Sequence, residues 1–240
     1  MIVRTRHDSL QLITQPDHAR LAGRVIERAS ALADHPRQQS ILRAAYGHDN
    51  GWIEPDAAPS VLAGTGRVAD FINAPADLRQ GVWPRAVATL SDDPWAAALV
   101  AHHAIAVYDR FHGDPSWVPF FERMTAIRDR LIADTTRKLD DLRADYWFVR
   151  LADLISLSFC TGSTDRFPHG AGGVQLTGAR VVVTPDVFDG AAVPLEIETV
   201  VLPNRVFESD ADLRGAIAVA GRSTLRGEAS GGRPGASVAM

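Results

Sequence analysis

Residues 146–160 read YWFVRLADLISLSFC. So long and apolar a run reads as a buried helix, with Asp145 ahead of it as the cap. It holds one awkward residue. Asp153 is the only acid among the twelve residues from Tyr146 to Leu157. Burying a lone carboxylate costs several kcal/mol, so Asp153 requires a partner. The candidates are Arg150 on the same segment or groups from elsewhere in the chain.

Working back from this segment, the pattern stays helical. Phe120, Phe121, Met124, Ile127, Leu131 and Leu139 recur at helical spacing between Trp117 and Arg143. Ser91-Asp92-Asp93-Pro94 is a helix start with proline in the first turn, and the helix it opens carries Trp95, Leu99, His102, His103, Val107 and Phe111. Trp83 to Leu90 reads as a short helix, and 52–80 as an irregular stretch broken by Pro55, Pro59, Pro75 and Gly64-Thr65-Gly66. Another helix spans about 37–49 and stops at Asn50-Gly51. Before it, Thr14 reads as an N-cap, with Pro16 and Asp17 in the first turn and Leu21, Ala22, Val25, Ala29 and Leu32 along one stripe. Residues 1–13 suggest a short strand pair turning at His7-Asp8.

Beyond Gly162 the composition changes. GVQLTGARVVVTP and VPLEIETVVL read as strands, the second alternating Leu195, Ile197, Thr199 and Val201 with Glu196 and Glu198. A turn and a short helix are expected over 203–220. The tail from Gly221 is rich in Gly, Ser and Arg and reads as disordered. The expected fold is therefore mainly α: a helical bundle over 1–162, a small β-hairpin appendage over 163–220 packed on it, and a disordered tail over 221–240.

The 240 residues are 46% hydrophobic with a formal net charge of -4. No basic stripe points to nucleic acid. No apolar run reaches the ~20 residues of a membrane span, and MIVRTRHDSL lacks a signal-peptide core. One cysteine, Cys160, excludes an internal disulfide framework and a cysteine zinc site. A cytoplasmic protein is expected, with room for a homodimer. All basic residues but Lys138 are arginine, which reads first as a codon-composition effect.

Two histidines share Asp153's awkwardness. His18 lies on the apolar stripe of its helix, and His48 falls at i+7 from Ile41 and i+3 from Ala45, with Asp49 beside it at a helix end. Two imidazoles and two carboxylates suit a divalent ion such as Mn²⁺, Fe²⁺, Co²⁺, Ni²⁺ or Zn²⁺. Taken singly, each has an ordinary reading as a core histidine, a helix terminus or an ion-paired acid. Elsewhere, Arg67 in the Gly64-Thr65-Gly66 loop and Asp70 after it are candidates for substrate binding. Asp17 reads as a cap, Arg20 points away from His18, and Ser156 and Ser158 lack a base for nucleophilic catalysis.

His, then His-Asp, then Asp on successive helices resembles the HD superfamily of metal-dependent phosphohydrolases. LITQPDHARLAG, GHDNGW, TGRVADF, LVAHHAIAVY and LADLISLSFC further resemble an uncharacterised bacterial family of that general type, across most of 1–210. The resemblance implies an HD-like bundle, metal ligation by His18, His48, Asp49 and Asp153, and Mg²⁺ as a further candidate ion. It implies catalytic roles for Asp49 and His103, the latter as a second-sphere general acid or a ligand to a second metal. The implied activity is hydrolysis of a nucleotide or small phosphorylated substrate. Two alternatives are an HD-type iron-dependent oxygenase, which would call on His102, His103 and His112, and a non-catalytic metal- or ligand-binding protein.

Overall fold

A computed structural model of the chain describes residues 1–232. The chain opens with a hairpin, β1 (Ile2–Thr5) and β2 (Ser9–Ile13), turned at His7-Asp8. Thr14 caps α1 (Gln15–Ile26) by accepting the Asp17 N–H, and Pro16 occupies the first turn. There follow α2 (Ser30–Ala33), α3 (Gln38–Gly47), α4 (Ile53–Ala57), α5 (Ala76–Ala88), α6 (Pro94–Val107), α7 (Val118–Ala133) and α8 (Leu139–Thr161). The stretch read as irregular over 52–80 thus contains α4 and the start of α5. After α8 come β3 (Arg166–His169), β4 (Gly172–Thr177), β5 (Arg180–Thr184), β6 (Val193–Pro203), α9 (Asp210–Ala218) and β7 (Gly221–Gly231).

The expectation of a mainly α, HD-like bundle with a hairpin appendage is overturned by the sheet. The structure is 50% helical and 21% strand, and its seven strands form one curled mixed sheet. Their order is β1-β2-β6-β7-β5-β4-β3. Every pairing is antiparallel except β5 with β7. β2 lies beside β6, with Leu10 opposite Leu202 and Leu12 opposite Val200, so the sheet ties the N-terminal hairpin to the strands beyond residue 162. The boundary expected at 162 therefore falls within a continuous packing unit.

The tail also needs correction over 221–231. β7 runs between β6 and β5, from Val201 opposite Gly221 to Val193 opposite Ala229 along β6. A strand flanked on both sides satisfies its N–H and C=O groups in two ladders, so its hydrogen bonding does not depend on side-chain hydrophobicity. Gly227 is required by close approach, since a Cβ there would overlap the Ala179 carbonyl and the Phe159 ring. The expected disorder of residues 233–240 lies outside the described residues.

The helices bury one face of this sheet. On β6, Val193, Leu195 and Ile197 are buried while Pro194, Glu196 and Glu198 face out. Those inward residues join a core with Leu21 and Val25 of α1, Ile41 of α3, Leu99 of α6 and Ile155 of α8. Helix α6 is apolar around nearly its whole circumference, and its run from Trp95 to Ala101 is buried throughout. Such a helix belongs at the centre of a layer rather than on its surface. α8 begins well before Asp145, which is therefore no cap. That carboxylate is fully buried and receives Arg37 at 2.5 and 2.8 Å and the Trp95 indole N–H at 2.7 Å. It links the start of α3, α6 and α8.

Candidate metal centre

Four helical elements converge beneath the sheet. α1 carries His18, α6 carries His103, α8 carries Asp153, and the end of α3 presents His48 and Asp49. The last two lie where α3 gives way to a single 3₁₀ turn over Asn50–Trp52. That turn packs against α5 so tightly that a Cβ on Gly51 would overlap the Val82 carbonyl. Glycine at 51 thus lets α5 press the turn inward and hold Asp49 against the helical core.

All four expected ligands come together, each at most 5% exposed. His18 Nε2 lies 3.2 Å from Asp153 Oδ1, 3.4 Å from His48 Nε2 and 3.7 Å from Asp49 Oδ2. His48 Nε2 lies 3.5 Å from Asp49 Oδ2 and 3.8 Å from Asp153 Oδ1. Donor atoms set about 2.1 Å from one ion in a tetrahedron stand about 3.4 Å apart. Five of the six edges, 3.2 to 3.8 Å, bracket that value, and the sets of three whose donor atoms lie mutually close are His18, His48 and Asp49, and His48, His103 and Asp153. The residues fit a divalent metal in donor type and spacing.

Hydrogen bonding at the far side of each ring settles which nitrogen faces the cluster with a lone pair. His48 Nδ1 lies 2.9 Å from the Ala45 carbonyl, which can only accept, so the proton sits on Nδ1 and Nε2 is bare. His18 Nδ1 lies 2.8 Å from Ser156 Oγ, and that hydroxyl donates to the His18 carbonyl at 2.8 Å. With its proton so committed, Ser156 accepts from Nδ1–H and leaves His18 Nε2 bare. Ser156 is thus an orienting residue for the ring, as metal-ligating histidines commonly require. Two lone pairs and two carboxylates then face one another out of water with no donor among them.

Such a set requires a cation. Without a metal, a proton fills the need. Burial opposes charge on His18, but the hydrogen bond to Asp153 and the neighbouring negative charge raise its pKa to about 10. Burial would raise Asp153, yet its bond to His18 and the positive charge of Arg150 hold it far below the usual carboxylate range. Asp49 is raised by burial, with partial relief from His48 and His18. Asp153 also accepts Arg150 Nη1 on Oδ2 at 2.6 Å. Its two oxygens are therefore divided, Oδ1 toward the cluster and Oδ2 toward the arginine.

The other sequence candidates separate clearly. His103 is buried with its Nε2 3.9 Å from Asp153 Oδ2, whereas His102 turns away and lies edge-on to Tyr146. His112 is exposed on the turn after α6, stacked on Phe121, away from the cluster. Arg67 and Asp70 do not reach the centre. They line a different groove with Thr5, Asn73 and Asn204, and Asp70 Oδ1 accepts the N–H groups of Ile72 and Asn73 as an ordinary turn former.

The cluster instead opens into a cavity of about 430 Å³ lined by His18, Asp49, His103 and Asp153 at its floor. Trp52, Phe71, Trp83, Tyr108 and Phe167 wall it, with Arg150 and Arg110 supplying positive charge. A larger concavity, about 860 Å³ along β4, β5 and β7, holds none of the cluster, and Arg180 and Arg226 beside it pair with Glu228 and Glu196. The sequence reading missed the wall residues, Ser156 and Tyr146. Arg150 was visible three residues before Asp153 and was weighed as an alternative to the cluster, yet Asp153 serves both.

Residues 1–211 match the family described as protein of unknown function (DUF3891), and the chain belongs to it. No curated protein and no solved structure matches the chain. None of the helices among the described residues is long and apolar enough to cross a membrane.

Proposed function

We propose that this protein is a metal-dependent hydrolase of a small phosphate ester, with one divalent ion held by His18, His48, Asp49 and Asp153. The observation that carries the reading is the pair of bare Nε2 atoms 3.4 Å apart beside two buried carboxylates. Four acceptors in that arrangement need a cation at their centre. The order His, His-Asp, Asp supports the hydrolytic chemistry through its similarity to HD phosphohydrolases, here on a helical layer backed by a sheet. The adjoining cavity supports catalysis over a closed structural site, since it gives a substrate access to the donors.

When bound, the metal supplies an acidified water as nucleophile and neutralises charge on the phosphoryl oxygens. The protein's own residues do the rest. Ser156 and the Ala45 carbonyl keep the two ligating rings in the required tautomer. Arg150 holds Asp153 in place. The aromatic walls exclude water from the floor and receive the apolar part of the ester.

Metal analysis of the purified protein, followed by a phosphatase and phosphodiesterase panel with added Mn²⁺, Zn²⁺ or Fe²⁺, tests this directly. One bound metal, with turnover lost in Asp49→Ala, is expected. If the wild type bound no metal and Asp49→Ala left its stability unchanged, the reading would fail.

A further inference from the structure

Three buried histidines meet at this centre, and the partner of each Nδ1 sorts them into two kinds. His48 and His18 point Nδ1 at acceptors, the Ala45 carbonyl and the Ser156 oxygen, so Nε2 is left bare. His103 differs. Its Nδ1 lies 3.1 Å from the phenolic oxygen of Tyr146, a group that has a proton to give. Burial raises the Tyr146 pKa, so that proton stays on the phenol at ordinary pH. The phenol oxygen can donate or accept; where it donates to Nδ1, the ring carries its single proton on Nε2.

Among the described residues His103 Nε2 has no acceptor within bonding distance. The nearest candidate, Asp153 Oδ2, is 3.9 Å away and already receives Arg150. The ring is only 2% exposed, packed edge-on against His48 and Trp83, and it lines the cavity floor. An N–H so placed awaits an acceptor that the described residues do not supply. Arg150 stands on the other side of the same carboxylate oxygen and lines the same cavity, with guanidinium donors beyond the one committed to Asp153. Tyr146, Arg150 and Asp153 fall at i, i+4 and i+7 of α8, so one helix face sets all three.

We propose that Tyr146 fixes His103 as a neutral Nε2–H donor, and that this N–H and Arg150 form an oxyanion-binding pair beside the metal for a substrate carrying a single phosphoryl group on a flat apolar body. The inference rests on the metal-hydrolase reading and assigns the phosphoryl subsite within it. His103 is then a substrate contact and not a ligand to a second metal, and Tyr146 is a positioning residue acting through it. The body of the substrate meets Trp52, Phe71, Trp83 and Phe167. A cavity of about 430 Å³ is of the size that holds one such small molecule.

Nitrogen NMR of ¹⁵N-histidine-labelled protein, with and without Zn²⁺, reads the tautomers. In both states His103 is expected to be protonated at Nε2 and bare at Nδ1, while His18 and His48 bind zinc through Nε2. Tyr146→Phe should mix the His103 tautomers while leaving one zinc per chain. Inorganic phosphate, titrated calorimetrically into the zinc-loaded protein, should bind about 10–100-fold more weakly to Arg150→Gln and to His103→Ala, the loss of one charge-assisted or buried hydrogen bond. Arg150→Lys should restore part of that loss. A His103 Nε2 that gives up its proton to zinc, a second zinc per chain, or phosphate affinity unchanged in both variants would each overturn the proposal. If the wild type takes up no zinc, the metal reading fails instead, and the His103 tautomer is still read in the zinc-free protein.

Discussion

Metal uptake should expel one proton, and the stability of the metal-free protein should fall as pH rises from 7 to 9. The perturbation is pH itself, applied to the metal-free and metal-loaded forms. In the metal-free form His18 is the cation of the cluster: burial opposes its charge, but the hydrogen bond to Asp153 and the neighbouring negative charge raise its pKa to about 10. The unfolded value is near 6.5. A group whose folded pKa is raised contributes stability that is complete below the unfolded value and is lost as pH climbs toward the folded one. Over the two units from pH 7 to 9 that loss is about 3 kcal/mol, at roughly 1.4 kcal/mol per unit for one proton. For a chain of this length the change corresponds to a melting temperature lower by about 6–12 °C. The metal-loaded form has already exchanged its proton and should show no such slope from His18. Metal affinity should therefore rise about tenfold per pH unit across the same window. Calorimetry in two buffers of different ionisation enthalpy counts the protons, and thermal melts at pH 7, 8 and 9 follow both forms. No proton release at pH 7, together with parallel melting profiles, would refute the assignment of His18 as the displaced cation.

Other outcomes follow from the same geometry. Asp49→Ala should abolish metal binding and with it the thermal shift that metal produces, about 2.7 kcal/mol at a hundredfold excess over Kd in the wild type; a persisting shift would place the metal elsewhere. Ser156→Ala should leave the fold intact but weaken metal binding about 10–100-fold, the usual effect of losing the group that orients a ligating ring, measurable by competition with a coloured chelator. Asp145→Ala, which strips the acceptor from half-buried Arg37 and buried Trp95, should cost about 1–3 kcal/mol in denaturant unfolding. Metal stoichiometry should be unchanged in whatever fraction of that variant remains folded.

The sequence carried the centre further than it carried the fold, for a physical reason. A carboxylate inside YWFVRLADLISLSFC is an energetic anomaly visible without coordinates, and so is a histidine on an apolar stripe. Each anomaly requires a partner, and the partners are few. Arg67 and Asp70 offered no such anomaly: a loop aspartate and arginine satisfy themselves locally or in water, and the structure leaves them outside the centre. Tyr146 and Ser156 were illegible for the opposite reason. A tyrosine or serine on a helix is unremarkable until the ring nitrogen it faces is known, and that pairing spans 43 residues for His103 and 138 for His18.

The sheet shows the same limit at larger scale. β6 announced itself by strict alternation, because one of its faces is buried against the helices. β7 could not, since GRSTLRGEASG is placed between two strands by backbone hydrogen bonds. A composition that reads as disorder counts side-chain burial alone and misses the two ladders that satisfy this strand's backbone groups. Misreading that strand detached the C-terminal strands from the N-terminal hairpin and turned a curled seven-stranded sheet into an appendage. The centre survives the correction because α1, α3, α6 and α8 hold its donors through their own packing. The sheet bears on it indirectly, by covering α1 and α8, so weakening the β6–β7 ladder should lower global stability before it alters the spacing of the four donor atoms.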